Sequence, residues 1–285
     1  RKVDVSKAFE IFHQFEHSKQ FWSYAARTGM IDKVEEFINP VPHLSFVYGQ
    51  EQVDFLKSRF TQMQKHHFFE DMAYTEDREQ IREWAPLLLE GRDQTPLAVT
   101  KMERGTDINY GTLSAKLIEW LGRQEGCGYA TSHRITNLTK DGTSWKVEVK
   151  DLTTKKTLST KAKFVFIGAG GGSLPLLQKS GIKESKGFGG FPIGGQWLIC
   201  DKPEIVNKHL AKVYGLSPGA APTMAVPHLD TRIIDGKKSI LFGPYAAWTT
   251  KFLHVEGKLT DLPRSIRTDN IASLIKVGLY NIPLV

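Results

Sequence analysis

The stretch Pro227-His228-Leu-Asp230-Thr-Arg232 holds the side chains best suited to proton transfer beside an anion. In an extended chain, residues two apart share a face, so His228, Asp230 and Arg232 project together. An imidazole titrating near neutrality can take a proton, and a carboxylate can orient it. A guanidinium can grip a substrate carboxylate with two parallel N–H bonds. A plainer arrangement stays open: Asp230 and Arg232 form a structural ion pair and His228 merely packs. His43, in Pro42-His43-Leu44, is a second candidate for base or substrate contact, although a histidine among apolar residues is commonly a core group. Lys251, after Gly243-Pro-Tyr-Ala-Ala-Trp248, can neutralise a further anionic group or simply be solvated. His66-His67 has no acid or cysteine partner at useful spacing, so no metal site is expected.

A different chemistry is suggested by Lys163-Phe-Val-Phe-Ile-Gly168-Ala-Gly170-Gly-Gly172-Ser-Leu-Pro175. Phe164 to Ile167 is the short apolar run of a buried strand, and Pro175 suits the first turn of a helix. Bare glycine backbone between them lets a phosphate approach, facing the free N–H groups of the helix start. Gly168, Ala169, Gly170 and Gly171 are therefore candidate contacts to a nucleotide cofactor. Ser173 stands where G-x-G-x-x-G requires its third glycine, and no strand ending in an acid follows about 20 residues on. The interval holds the glycine-rich run 186–195, and Asp201 after Gln196–Cys200 comes too late. The segment reads better as a second pass beside a dinucleotide than as its first fingerprint. A packed glycine turn is the competing explanation.

The elements that must hold these groups are of both kinds. Apolar spacing predicts helices through Ala8–Ala25 and Val53–Met63, and a third capped by Thr75 and ended before Pro86. Asn39–Tyr48 is barred from helix by its prolines and ends as a strand. Leu113–Trp120 reads as a helix, Tyr129–Leu138 and Trp145–Val149 as strands joined through Asp141-Gly142. A helix is expected near Pro203–Val213, then strands around Thr223–Val226, Thr231–Ile234 and Ser239–Phe242, the last pair turned by Asp235-Gly236. The apolar ending Ile282-Pro-Leu-Val285 and the missing first βαβ unit suggest a fragment.

At 285 residues, with 40% hydrophobic and 24% charged residues, the chain can bury a sizeable core. No apolar run reaches the roughly 18 residues of a membrane span. Cys127 and Cys200 form no motif and fit a reducing compartment. The net charge of +7 is scattered, which suits an anionic membrane surface or acidic substrates better than nucleic acid.

Several blocks together resemble the malate:quinone oxidoreductase family. They are Glu83-Trp-Ala-Pro-Leu, Gly105-Thr-Asp-Ile-Asn-Tyr-Gly111, Ala162 to Gly172, Gly190-Phe-Pro-Ile-Gly-Gly-Gln196, Ala211-Lys-Val-Tyr-Gly215, and Val226–Arg232 through Leu241-Phe-Gly-Pro244. The likeness runs in one order from about Val5 onward. Small departures, such as 216–224 and Tyr245, bear only on fine specificity.

The resemblance implies a mixed α/β (α+β) chain, part of an FAD-binding Rossmann-like domain interwoven with an antiparallel-sheet substrate domain. Residues 1–108 would be a mainly helical part with a substrate-domain strand near 43–48, 109–181 part of the FAD domain, and 182–285 substrate-domain sheet. It implies a peripheral enzyme on the inner, cytoplasmic face of the cell membrane that oxidises malate to oxaloacetate through FAD and reduces a quinone. Gly168 to Gly171, the strand around Ile135 and the helix opening Asn109-Tyr110 would then face the cofactor. His228 and Arg232 would act on malate, helped by His43 and Lys251. Oxidation of another 2-hydroxy acid, such as 2-hydroxyglutarate, remains open. So do a non-catalytic nucleotide-binding module and an NAD dehydrogenase, the last opposed by Ser173 and the missing acid.

Overall fold

The order of elements begins α1 (Val5–Arg27), β1 (Ile38–Pro40), β2 (His43–Tyr48), α2 (Gln50–Met63), β3 (Ala73–Thr75), α3 (Arg78–Trp84), β4 (Leu97–Met102), β5 (Thr106–Ile108) and α4 (Tyr110–Gly122). Next come β6 (His133–Asp141), β7 (Ser144–Asp151), β8 (Thr157–Ala162), α5 (Ser173–Ser180), β9 (Ile193–Cys200) and α6 (Pro203–Val206). The chain closes with β10 (Lys212–Gly215), β11 (His228–Ile234), β12 (Lys237–Trp248), α7 (Asp261–Ser265) and α8 (Ile271–Asn281). This computed structural model describes residues 4–216 and 226–281; the expected strand from Thr223 and the apolar ending 282–285 lie outside them.

Two compact units result, each drawn from two stretches: Arg1–Gly128 with Gly195–Tyr245, and Tyr129–Gly194 with Ala246–Val285. Their boundaries differ from the expected cuts at 108 and 181. One reason is that α4 stays with the first stretch, burying Leu113 against Ala25, Ile31 and Phe37.

In the first unit the main sheet has the order β3-β4-β2-β10-β11-β12-β9, and β1 pairs with β5 separately. β2 and β10 run parallel, while β2–β4, β3–β4, β10–β11 and β11–β12 are antiparallel. Alternation gives the sheet two unlike faces. Leu44 and Phe46 of β2, Leu97 and Val99 of β4, and Val213 of β10 join Ile81 and Leu88 in the largest apolar cluster. Their chain neighbours point the other way, where α2 packs Val53 and Leu56 on Val47 and Ala98.

Local signals explain most boundaries. The Asp4 carboxylate accepts the Ser6 N–H at 2.9 Å and caps α1. Asp77, not the expected Thr75, caps α3: Thr75 is spent as the last residue of β3, opposite Val99, and its Oγ1 only accepts the Asp77 N–H. Asp235 and Gly236 turn β11 into β12 with φ of 51° and 76°, as a tight hairpin requires.

Two further expectations fail. The helix beginning at Pro203 stops at Val206, because Lys212–Gly215 alternates as a strand and is paired on both sides, by β2 and β11. Tertiary pairing overrides the local apolar count. Phe164–Ile167 forms no strand, and Phe164 and Phe166 remain 78% and 84% exposed. An apolar run becomes a buried strand only when other strands pair with it and cover it. Among the described residues none does.

The second unit carries the sheet β6-β7-β8, antiparallel throughout. Gln178 of α5 is buried there and donates to the Ser265 carbonyl of α7 at 2.8 Å.

Candidate active site

The central strand β10 brings the site together. Its register sets Lys212 beside His43 on β2 and Asp230 on β11, and Tyr214 beside Ser45 and His228. The period of two then puts all these side chains on the face opposite the apolar cluster. The His43 and Tyr214 rings stack at 4.8 Å between centroids, and the Tyr214 and His228 rings lie 4.0 Å apart. Trp197 of β9 meets His228 edge-on at 6.1 Å. His228 Nδ1 stands 3.8 Å from Asp230 Oδ2, a charge contact too long for a direct hydrogen bond. Asp230 is buried, and its Oδ1 has no hydrogen-bond partner.

The expected trio thus shares a face, and Arg232 takes a partner that the sequence did not suggest. Asp107 of β5 is fully buried, with Oδ1 at 2.8 Å from Lys212 Nζ and 2.9 Å from Arg232 Nη1. Both are ion-pair contacts, and Oδ2 accepts the Ile233 N–H at 2.8 Å. Arg232 Nη2 also donates to the Ile108 carbonyl at 3.1 Å. One carboxylate therefore fixes two cations, and the guanidinium is partly committed before any ligand arrives. β5 can come this close because Gly105 precedes it: a Cβ there would lie 2.3 Å from the Val41 carbonyl oxygen.

A cavity of about 530 Å³ opens on this face. His43, Lys212 and Tyr214 form its polar floor, and α1 and α2 supply its other wall. His43 is exposed by surface area and lines this cavity, yet its ring is closely surrounded by protein, Tyr214 included. That burial holds its pKa below the ordinary value, opposed by the negative charge of Asp230. Burial, reinforced by the same Asp230, pushes the Tyr214 phenol up to about 12, so it stays a hydrogen-bond donor at neutral pH.

In the second unit the glycine bend serves two purposes. Gly168, Ala169 and Gly170 are exposed, and nothing lies within 4 Å of the position a Cβ would take on Gly170, whose φ is 53°. Gly171 is needed for packing: a Cβ there would fall 1.7 Å from the Phe252 carbonyl oxygen. Ser173 replaces the third glycine by accepting the Ala169 N–H on its Oγ at 3.1 Å, which closes the bend internally. Ile135 is 37% exposed on β6, an edge strand. Lys251 lies in this unit, with its backbone N–H on Thr249 Oγ1.

Asn109 and Tyr110 belong to the first unit. Asn109 is buried and caps α4, accepting the Thr112 N–H and donating to Asp235 Oδ1 at 2.9 Å, so its side chain is fully used by the fold. Tyr110 is exposed.

The sequence reading passed over Lys212, Tyr214 and Asp107. Each sits inside a block already singled out, Ala211–Gly215 or Gly105–Gly111. The alternation Lys212-Val-Tyr214 was the available signal, hidden by the helix expected there.

Comparison with known proteins gives a consistent result. The family model for malate:quinone oxidoreductase matches residues 1–285. A probable malate:quinone oxidoreductase of Helicobacter hepaticus is 52% identical over 99% of this chain and 57% of its own length. A second, from Pseudomonas putida, is 50% identical over 99% of this chain and 56% of its own. The chain thus spans little more than half the length of the curated relatives it matches. Among solved structures, L-proline dehydrogenase from P. horikoshii aligns with a TM-score of 0.54 at 14% identity, covering 92% of this chain and 62% of that one. Glycine oxidase from Geobacillus kaustophilus gives 0.53 at 15%, covering 85% and 56%. At such identities the likeness concerns the fold alone.

Proposed function

Since this chain belongs to the malate:quinone oxidoreductase family, we propose that the complete protein oxidises the secondary alcohol of malate to the ketone of oxaloacetate and reduces a quinone. Two electrons and two protons leave the alcohol, and a quinone takes up the same number to become a hydroquinone. The observation that carries this reading is the row His43, Tyr214 and His228 beside Lys212, on the polar face of the sheet.

His228 is the base that accepts the hydroxyl proton. Asp230 lies behind it, and its negative charge stabilises the imidazolium as it forms. Lys212, held in place by Asp107, is the cation of the cavity floor for a substrate carboxylate, and Arg59 and Arg104 also line the cavity. With two of its groups committed, Arg232 contributes mainly positive field and the positioning of Asp107. His43, its pKa lowered by the protein around its ring, and the Tyr214 hydroxyl orient the substrate's oxygens.

The cofactor in this reading is FAD, which when bound supplies the acceptor for the hydride. The open backbone at Gly170, in the exposed bend 168–170, fits the close approach of its phosphates or ribose, and the exposed edge of β6 at Ile135 suits an adenine. The chain's +7 charge supports a peripheral place on the anionic inner face of the cell membrane. Among the described residues no helix is long and apolar enough to cross one.

The test uses the complete enzyme, its visible spectrum, and a panel of 2-hydroxy acids assayed with a water-soluble dye as acceptor. Flavin bands and malate-dependent formation of oxaloacetate are expected. Absence of malate turnover ends the reading, and a preference for 2-hydroxyglutarate moves it to that neighbouring activity. His228→Asn is expected to lower kcat by about a hundred- to ten-thousand-fold with flavin retained.

A further inference from the structure

The cavity is larger than malate alone requires, and much of its lining is apolar. A four-carbon hydroxy diacid has the bulk of roughly four waters, on the order of 120 Å³, against a cavity of about 530 Å³. Polar groups cluster on the sheet floor, and two arginines, Arg104 and Arg59 of α2, also reach the lining. Above them α1 turns Ala8, Ile11, Phe12 and Phe15 inward at the spacing of one helix face, and α2 adds Phe55 and Met63. Away from Arg59, a doubly charged acid gains nothing from the aliphatic and aromatic side chains of that wall and loses hydration against them.

Resting on the function proposed above, we propose that the α1–α2 end of this cavity binds the quinone, with its ring toward Tyr214 and its isoprenoid tail along Ile11, Phe15 and Phe55. The gradient from polar floor to apolar wall matches that one class of molecule, which carries two carbonyl oxygens at one end and hydrocarbon at the other. Tyr214, held as a phenol, can donate to a quinone oxygen. Ile11 lines the cavity and is still 55% exposed, so it stands at the opening through which a tail leaves. The diacid then occupies the floor at Lys212, His43 and Tyr214, whose ring adjoins His228, and the quinone the α1–α2 end.

The experiment compares Ile11→Asn and the milder Phe55→Leu with the unaltered complete enzyme. Malate oxidation is followed with three acceptors: a decyl-tailed quinone, the same ring without a tail, and a water-soluble dye. With Ile11→Asn the KM for the tailed quinone should rise about tenfold, with a smaller rise for Phe55→Leu, while the tail-less ring and the dye respond as before. Rises of equal size for both quinones, or no rise, overturn the proposal. Retained dye reduction certifies that a variant is folded. Loss of malate-dependent dye reduction in the unaltered enzyme would instead remove the function itself, and the proposal with it.

Discussion

The two faces of the seven-stranded sheet are made by the same strands, one residue out of step. On β2, Leu44 and Phe46 enter a closed apolar cluster, and His43 and Ser45 face a cavity. On β10, Val213 joins the cluster, and Lys212 and Tyr214 line the cavity. Packing on the first face is dense and mainly apolar, with Arg92 over the Phe46 ring and Lys101 over Trp84. The second face holds a buried carboxylate with two cations, a second buried carboxylate and two imidazoles. Adjacent residues therefore do unlike work. The closed face resists unfolding, and the open one spends part of that stability on charges kept out of water.

If that division is right, damage on the two sides should be separable. The largest effect is expected from Asp107→Ala, which strands Lys212 and Arg232 with no counter-charge. Denaturant titration should show a loss of about 4 kcal/mol, accompanied by a higher malate KM in whatever enzyme remains folded. A malate KM that holds steady would show that Lys212 does not touch the substrate. On the closed face, Leu44→Ala should cost about 3 kcal/mol through its cavity and leave the malate KM as it was. A changed KM there would mean that the faces are mechanically coupled.

The smallest effect is a slope with pH. His209 is buried, its Nε2 lies 3.2 Å from the Leu229 carbonyl oxygen, and its Nδ1 has no hydrogen-bond partner. Burial lowers its pKa from 6.5, so the folded form resists protonation that the unfolded chain accepts. The unfolded state then binds more protons below pH 6.5, and stability must fall as pH drops from that value toward the lowered pKa. His43 acts in the same direction. Urea midpoints taken from about pH 7.5 to about pH 5.5 should decline, and His209→Gln should flatten part of that decline. An unchanged slope would count against His209 as its source.

Much of this was legible in the chain because it depends on local spacing. The period of two put His228, Asp230 and Arg232 on one face, and the turn residues at 235–236 fixed their hairpin. What could not be read is who stands opposite whom. Asp107 finds Lys212 and Arg232 only because β5 and β10 are brought together from distant parts of the chain, and no short window contains that fact. The same limit explains Asn109, read as a cofactor contact yet spent on capping α4 and holding Asp235. It also explains Phe164–Ile167, whose composition fits a strand that nothing among the described residues pairs with. The glycine bend lies between these cases, since its openness at Gly170 was foreseeable and the Phe252 backbone against Gly171 was not.

The parallel joint between β2 and β10 has a bearing on how the molecule is born. β2 has β4 on one side and β10 on the other, and β10 emerges from the ribosome roughly 170 residues after β2, a delay of about ten to thirty seconds. Until then one edge of β2 is bare, and a bare edge invites strangers to pair with it. Any nascent chain arrested before residue 212 would carry His43 without its neighbours, an unfinished pocket with a sticky rim.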